Sequence, residues 1–310
     1  MEASSHALDQ GRLDGLSIDA AVFSNLSRDH LDYHSSMEAY CEAKLRLFRD
    51  FAPPVRIFNA DDALLTSHRN VWGKAGLGIS CEGALADIQV LVKGAAPLAL
   101  QLKTPWGATH IQSALAGRFN AFNLSAAVTL LAAMGLPFDA VISAAEQVDP
   151  VRGRLQKVEF ESDVAVFVDY AHTPDALNRA LCALSDFGVK GHIWVVFGCG
   201  GDRDRGKRAE MGATAAAIAD RLVVTSDNPR SESPVAIIAD ILEGCRHVVP
   251  MVEVDRAAAI ALAVSQADTG DVVLIAGKGH ETYQVVGSVR QPFCDGDHAR
   301  KNRAIRRAAG

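Results

Sequence analysis

Residues 164–276 alternate short apolar runs with helix-length segments, and few folds accept that rhythm. The runs are 164–170 (VAVFVDY), 192–197 (HIWVVF), 221–225 (RLVVT), 250–254 (PMVEV) and 271–276 (DVVLIA). Between them the spacing predicts helices over 174–187, 207–219, 234–246 and 257–267, and a basic helix follows over 297–309. Thr173 is placed to cap the first helix, and Pro174 occupies its first turn, where a missing N–H costs nothing. Apolar strands separated by helices imply a parallel sheet covered on both faces. In such sheets, ligands gather outside the carboxyl ends of the strands. The segments just past the strands are 169–172, 198–208, 227–230 and 277–281, which are the polar, glycine-rich and charged stretches of this half. Four separate loops on one rim predict a binding site.

The first half is less regular. Strands are predicted over 20–25, 55–59, 88–92 and 98–102. Helices are predicted over 35–50 and 120–134, with a shorter one inside 136–151; Ser35 and Glu38 have capping-box spacing. The chain divides into two domains, 1–151 and 152–310. It opens on EASSH with no strand ahead of it, so the first domain is expected to begin upstream.

Composition narrows the function classes. Hydrophobic residues make up 49% and charged residues 22%, and the net charge is −6. These values suit a soluble globular protein and oppose sequence-independent binding to nucleic acid, which needs a basic surface. Local basic clusters still permit an anionic small-molecule substrate. The six cysteines include no CxxC pair, which argues against a zinc site or a disulfide framework and for a reducing compartment. The first residues lack a basic segment followed by an apolar one. The apolar run 126–138 is interrupted by Gly135 and Pro137. A cytoplasmic protein with no membrane partner is expected, and a monomer.

Individual residues carry more specific chemistry. Lys44 falls on the apolar stripe of helix 35–50 with Met37, Tyr40, Cys41, Leu47 and Phe48. It either snorkels at the edge or is a semi-buried amine, deprived of charge by desolvation, that can form a carbamate and become an oxygen ligand for magnesium. His30 and His34 copy the spacing of a metalloprotease pair, but Leu31 stands where the general base is required. His30 alone is either structural or a ligand. The loop 198–208 (GCGGDRDRGKR) imitates two phosphate-binding motifs and completes neither: Arg203 replaces the third glycine of a dinucleotide loop, and Arg208 replaces the Ser or Thr of a P-loop. Its cations are either a solvated charged face or a carboxylate- or phosphate-binding set. Asp227–Arg230 (DNPR) is either a plain Asn-Pro turn or a guanidinium set at a strand end for bidentate carboxylate capture. The string 277–281 (GKGHE) offers a backbone nest and Glu281 for an ammonium. Together these residues read as a site for a zwitterionic amino acid.

The strings EASSH (2–6), NLSRDHLDYH (25–34), YCEAK (40–44), FNADD (58–62), GRFNAFN (117–123), GRLQKVE (153–159), VDYAHTPDAL (168–177), FGCGGDRDRGKR (197–208), DNPR (227–230) and AGKGHETYQ (276–284) occur in that order and cover nearly the whole chain. In that arrangement the chain resembles the Mur ligase family, and within it the branch that adds meso-diaminopimelate to UDP-N-acetylmuramoyl-L-alanyl-D-glutamate. The resemblance implies an α/β architecture: the remainder of a central ATPase-type domain over 1–151, then a Rossmann-like amino-acid-binding domain with a mostly parallel sheet over 152–310. It implies ATP and Mg2+ as cofactors, and an acid–amino-acid ligation in peptidoglycan precursor synthesis through an acyl phosphate. It also implies roles. Glu2, His30 and Lys44, the last as a carbamate, resemble the magnesium ligands, with Lys44 and His30 in the catalytic set. Ser4, Gln10 and Arg12 resemble contacts to the muramoyl-dipeptide nucleotide. Asn120, Asn123, Arg154 and Asp169 resemble ATP contacts. Arg203, Asp227, Asn228, Pro229, Arg230, Gly277 and Glu281 resemble the diaminopimelate pocket; lysine-adding relatives usually lack the Arg of DNPR. The family's N-terminal uridine-nucleotide domain and its TGTNGKT-type P-loop have no counterpart in the 310 residues, so a truncated or split polypeptide is expected. The alternatives are a remnant that only binds the amino acid and a folylpolyglutamate- or cyanophycin-type ligase, the latter opposed by DNPR and DYAHTP.

Overall fold

The computed structural model describes residues 1–159, 164–185, 187–246 and 248–308, and it divides into two compact units, Met1–Asp149 and Pro150–Gly310. The side chains of residue 69 and of residues 302–308 are also outside the description.

The first unit is built on a six-stranded sheet in chain order: β1 (Ala20–Phe23), β2 (Val55–Asn59), β3 (Gly76–Ser80), β4 (Ile88–Ala95), β5 (Leu98–Thr104) and β6 (Gly107–Ser113). The pairings from β1 to β4 are parallel, and those of β4 with β5 and β5 with β6 are antiparallel. Helices α1 (Ser5–Asp9), α2 (Leu31–His34), α3 (Met37–Arg49), α4 (Ala63–Ser67) and α5 (Arg69–Trp72) precede β3, and α6 (Phe119–Ala133) and α7 (Phe138–Glu146) follow the sheet. One core joins Ile57, Ile79, Leu100 and Leu102 to Ala121, Leu124 and Val128 of α6. A second joins Phe23 to Cys41, Leu45 and Phe48 of α3 and to Trp72. The cap of α3 is Ser36, not Ser35: Ser36 Oγ accepts Ala39 N at 3.1 Å. Ser35 is left-handed at φ 58°, because the chain must turn out of α2 before it can enter α3.

The second unit carries a six-stranded sheet ordered β11-β10-β9-β12-β8-β7. Its strands are β7 (Gln156–Lys157), β8 (Ala165–Asp169), β9 (Ile193–Phe197), β10 (Arg221–Val224), β11 (Met251–Val252) and β12 (Val272–Ala276). All neighbours are parallel except β7 and β8. Helices α8 (Pro174–Ser185), α9 (Gly206–Ile218), α10 (Pro234–Leu242), α11 (Arg256–Gln266) and α12 (Asp295–Ala308) alternate with the strands. Every residue of β9 and β12 is buried, as strands covered on both faces require. Thr173 caps α8, its Oγ1 accepting Ala176 N at 3.2 Å. Residue 186 of the predicted helix 174–187 and residue 309 of the predicted helix 297–309 lie outside the described residues.

Beyond the short elements α1, α2, α4, α5 and β7, two strands and a hairpin stand outside the sequence-based expectations. Strands β3 (GLGIS) and β6 (GATHIQS) are glycine-bearing or polar, so they carry little apolar signal. A hairpin of β13 (Tyr283–Val286) and β14 (Val289–Pro292) follows β12 and turns through Gly287-Ser288, with Gly287 at φ 59°. A Gly-X pair between two strand-like runs is a recognisable hairpin signal.

Candidate active site

The four loops predicted to share a rim do meet at the carboxyl ends of β8, β9, β10 and β12. Their contacts are close enough to demand glycine. A Cβ at Gly198 would lie 2.2 Å from Thr225 O, and one at Gly201 would lie 1.9 Å from Pro229 O. These two positions let the glycine-rich loop lie flat against the segment Asp227–Arg230. Backbone and side-chain hydrogen bonds then lock the pair. Gly201 N donates to Asn228 O at 3.0 Å, and Arg230 Nη1 donates to Gly201 O at 2.7 Å. The Ser231 hydroxyl donates to Asp202 at 2.7 Å.

The charged loop is not a solvated face throughout. Lys207 and Arg208 are buried at 6% and 1% exposure. Arg208 is consumed by two carboxylates, with Glu232 2.8 Å and Asp240 2.8 Å from its guanidinium. Glu232 also faces Arg205 at 3.0 Å and accepts Asp202 N at 2.6 Å. The Arg208 hydrogen bond is the main reason its pKa falls to about 2. Arg203 is exposed, and its guanidinium meets the carbonyl of Asp202.

Arg230 is held in a conformation few non-glycine residues adopt, at φ 52°. The cause is the β13–β14 hairpin: Arg230 N donates to Val285 O at 3.2 Å, and Gly287 N donates to Arg230 O at 2.8 Å. Asn228 is equally fixed. Its Nδ2 donates to Glu281 Oε2 at 2.9 Å, and its Oδ1 accepts Val285 N at 2.9 Å. Asp227 is 8% exposed, and its Oδ2 is buried without a hydrogen-bond partner among the described residues. A Cβ on Gly277, at φ 112°, would come within 2.6 Å of that oxygen. A buried carboxylate oxygen left without a donor is costly, and a ligand N–H would complete it.

Arg154 and Asp169 lie on the same unit. Asp169 Oδ2 accepts Leu155 N at 2.6 Å and its Oδ1 accepts Ala171 N at 2.8 Å, while its backbone carbonyl accepts Gly277 N at 3.1 Å. Burial pushes its carboxyl pKa up, and the two amide donors oppose that. Asp169 therefore ties the turn at Leu155 to the turn at Gly277. Arg154 stacks on Tyr170, 4.7 Å from the ring centre.

In the first unit Glu2, Ser4, Gln10, His30 and Lys44 lie about α1, α2 and α3, past β1. Lys44 Nζ lies 5.7 Å from the Phe23 ring and 5.2 Å from the Tyr40 ring. Burial lowers its pKa, against opposing pulls from Asp29 and Glu2. It is therefore a semi-buried amine rather than a snorkelling one. His30 is left-handed at φ 56°, and its Nε2 is 3.7 Å from Asp29 Oδ2. His34 instead pairs with the Ser5 hydroxyl at 2.8 Å. Ser4 caps α1, its Oγ accepting Ala7 N at 3.1 Å. Gln10 donates to the Tyr33 hydroxyl at 3.1 Å, and Arg12 and Glu2 are exposed. On α6, Asn120 donates to Ala116 O at 2.7 Å and accepts from Asn123 Nδ2 at 3.1 Å. Glu2 and a carbamate on Lys44 would offer oxygen donors of the kind magnesium prefers, with His30 as the third candidate ligand. Among the described residues, no three His, Cys, Asp or Glu side chains converge as a formed metal site.

No helix among the described residues is long and apolar enough to cross a membrane. A family model for the Mur ligase middle domain matches residues 1–131, and one for the Mur ligase glutamate ligase domain matches residues 153–279. The UDP-N-acetylmuramoyl-L-alanyl-D-glutamate--2,6-diaminopimelate ligase of Chromobacterium violaceum is 47% identical over 95% of the chain, and that of Coxiella burnetii 44% over 97%. The chain spans 61% and 63% of the length of those relatives. A solved structure of a ligase of the same name is 40% identical, with a TM-score of 0.59 over 99% of the chain and 64% of its own. A pseudomurein peptide ligase type C from Methanothermus fervidus, 15% identical, shares the fold over 98% of the chain and 66% of its own, with a TM-score of 0.71. The chain belongs to the Mur ligase family, of which it carries the middle and glutamate ligase domains.

Proposed function

We propose that the chain is the amino-acid-selecting and part of the nucleotide-handling portion of an ATP-dependent ligase that adds meso-2,6-diaminopimelate to UDP-N-acetylmuramoyl-L-alanyl-D-glutamate. One observation carries the reading: a guanidinium (Arg230), an ordered carboxylate (Glu281) and an unpartnered buried carboxylate oxygen (Asp227 Oδ2) stand together at the carboxyl ends of a parallel sheet. That is a receptor for a ligand bearing both carboxylate and ammonium. Arg230 takes the carboxylate that distinguishes diaminopimelate from lysine. Asp227, Glu281 and the Gly277 turn take the ammonium. Arg203, Asn228 and Pro229 complete the pocket.

ATP supplies the phosphoryl group that activates the D-glutamate carboxylate. Asn120 and Asn123 in the first unit, and Arg154 and Asp169 in the second, are the residues assigned to the nucleotide. Glu2, His30 and Lys44 are assigned to magnesium, with Lys44 as the carbamate. Ser4, Gln10 and Arg12 are assigned to the muramoyl dipeptide. What these groups contribute is placement and charge neutralisation. The names of the relatives, with the DNPR segment at the rim, favour this reading over a folylpolyglutamate-type ligase. The test has two parts. The chain is expected to bind meso-diaminopimelate in preference to L-lysine. Co-expressed with the portion of a full-length relative that it does not cover, it is expected to release phosphate from ATP only when diaminopimelate and the muramoyl dipeptide are both present. Equal binding of lysine, or phosphate release indifferent to diaminopimelate, would refute it.

A further inference from the structure

Lys278 has no assigned role, yet it is 0% exposed. Lysine is almost never buried so fully unless its charge is paired. Its Nζ donates to Glu281 Oε2 at 2.8 Å and to Asn228 Oδ1 at 3.1 Å, and the Tyr283 ring centre is 5.6 Å away. The consequences follow from counting donors and acceptors. Asn228 Oδ1 accepts from both Lys278 and Val285 N, so its amide cannot flip, and Nδ2 is committed to Glu281 Oε2. Oε2 therefore has two donors. Among the described residues, Oε1 has only the Tyr283 hydroxyl, at the long distance of 3.5 Å.

We infer that Lys278 is a positioning residue for amino-acid recognition: with Asn228 it saturates Glu281 Oε2 and so reserves Oε1 for the ammonium of the ligand. The inference rests on the diaminopimelate reading above and adds to it the element that sets how strongly the ammonium is read. Burial works against an ionised Glu281, but the hydrogen bonds from Lys278 and Asn228 outweigh it, with Arg230 helping, and its pKa is lowered. Without Lys278, the carboxylate loses a charge-assisted partner and its fixed direction. A flanking turn supports the assignment. Gly277 and Gly279 both have positive φ, and Gly279 lies against Gly153 and Tyr170 with no room for a Cβ. The backbone on either side of Lys278 is thus constrained, and its Nζ is held by Asn228 and Glu281.

Calorimetric titration separates a positioning role from a merely structural one. The probes are meso-diaminopimelate and pimelate, which keeps both carboxylates and lacks both ammonium groups. Wild type is expected to prefer diaminopimelate. Lys278→Met is expected to narrow that preference by about tenfold or more, the size of a lost hydrogen bond to a charged group, with pimelate binding unchanged. Glu281→Gln should narrow it similarly, and the double variant should narrow it no further than the larger single effect. Should Lys278→Met fail to fold, Lys278→Gln carries the same expectation. Equal weakening of both ligands in the variant that folds, or full preference retained in Glu281→Gln, overturns the inference and leaves the diaminopimelate reading standing. A wild type with no preference for diaminopimelate overturns that reading, and the inference with it.

Discussion

The two units differ in how their candidate side chains are held. In the second unit, three polar groups at the rim are secured by their packing: Asn228 and Glu281 by the buried Lys278, Arg230 by a hairpin and by the Gly201 carbonyl. In the first unit, the candidates sit closer to water. His30 has a side-chain exposure of 37%, Glu2 is exposed, and Gln10 is held by the hydroxyl of an exposed tyrosine. The contrast follows from the sheets. Parallel strands buried on both faces deliver their loops to one edge, where they must pack on each other. Apart from Lys44 on α3, the first unit's candidates near β1 stand on a five-residue helix, a four-residue helix and their flanking turns, which have little buried surface to lock. A pocket that must read one amino acid gains from rigidity, because preorganised groups lose less on binding.

The comparison is broken most severely at Arg256. It is fully buried, pairs with the equally buried Asp295 at 2.8 Å, and donates to the carbonyls of Ser226 and Ala276, which lead into the Asp227 and Gly277 loops. Asp295→Asn leaves a buried guanidinium without its charge partner, which should cost about 3–5 kcal/mol. The measurement is a denaturant titration read by hydrogen exchange of β10 and β12. Protection close to that of wild type would show that the rim is not held from below. Arg230→Ala comes next. It removes a charged hydrogen-bonding group at the rim, so discrimination of diaminopimelate over lysine should fall by about 1.5–3 kcal/mol, and Arg230→Lys should restore little of it because an ammonium cannot offer a planar fork. Competition titrations decide, and unchanged preference would remove Arg230 from the selector.

Most of the second unit's strands and helices were legible from the sequence because strand and helix periods alternate cleanly there. Its loops were legible as chemistry but not as structure. Arg208 reads as a free cation in the sequence; its burial depends on Glu232 and Asp240, 24 and 32 residues away, and no local pattern shows that. Lys278 is illegible for the same reason: a lysine between glycines looks solvent-facing until Asn228 and Glu281 are brought to it. The hairpin that twists Arg230 into a left-handed conformation carries a local signal, Gly287-Ser288. In the first unit, Lys44 was legible through its place on an apolar stripe. Strands β3 and β6 were not, because the contacts that bury them come from α6, from α7 and from neighbouring strands.

Glu232 tests whether the rim's rigidity depends on pH. Its folded pKa of about 2 lies below the ordinary value of 4.5. A depressed carboxylate adds stability that is complete above the unfolded pKa and is lost as pH falls toward the folded one. The link between the loop 198–208 and the segment after Arg230 should therefore weaken between about pH 4.5 and pH 2. Glu232→Gln should flatten that part of the acid-unfolding curve, with a smaller effect at neutral pH than Asp295→Asn. A wild-type curve without a slope in that window, or one unchanged by the substitution, would show that Glu232 contributes nothing as a charge.

The smallest effect is expected at Tyr33 in the first unit. Its hydroxyl donates to Asp9 Oδ2 at 2.8 Å and accepts from Gln10, so it links α2 to the end of α1. The ring is 40% exposed, so water replaces both hydrogen bonds when the hydroxyl is removed. Tyr33→Phe should change stability by no more than about 0.5 kcal/mol, as surface substitutions do. It should still raise hydrogen exchange over residues 5–12, because Gln10 loses the partner that holds it. A larger global cost would mean that the first unit is locked here as firmly as the second. Its candidate residues would then be a preformed site, rather than one whose order depends on what it binds.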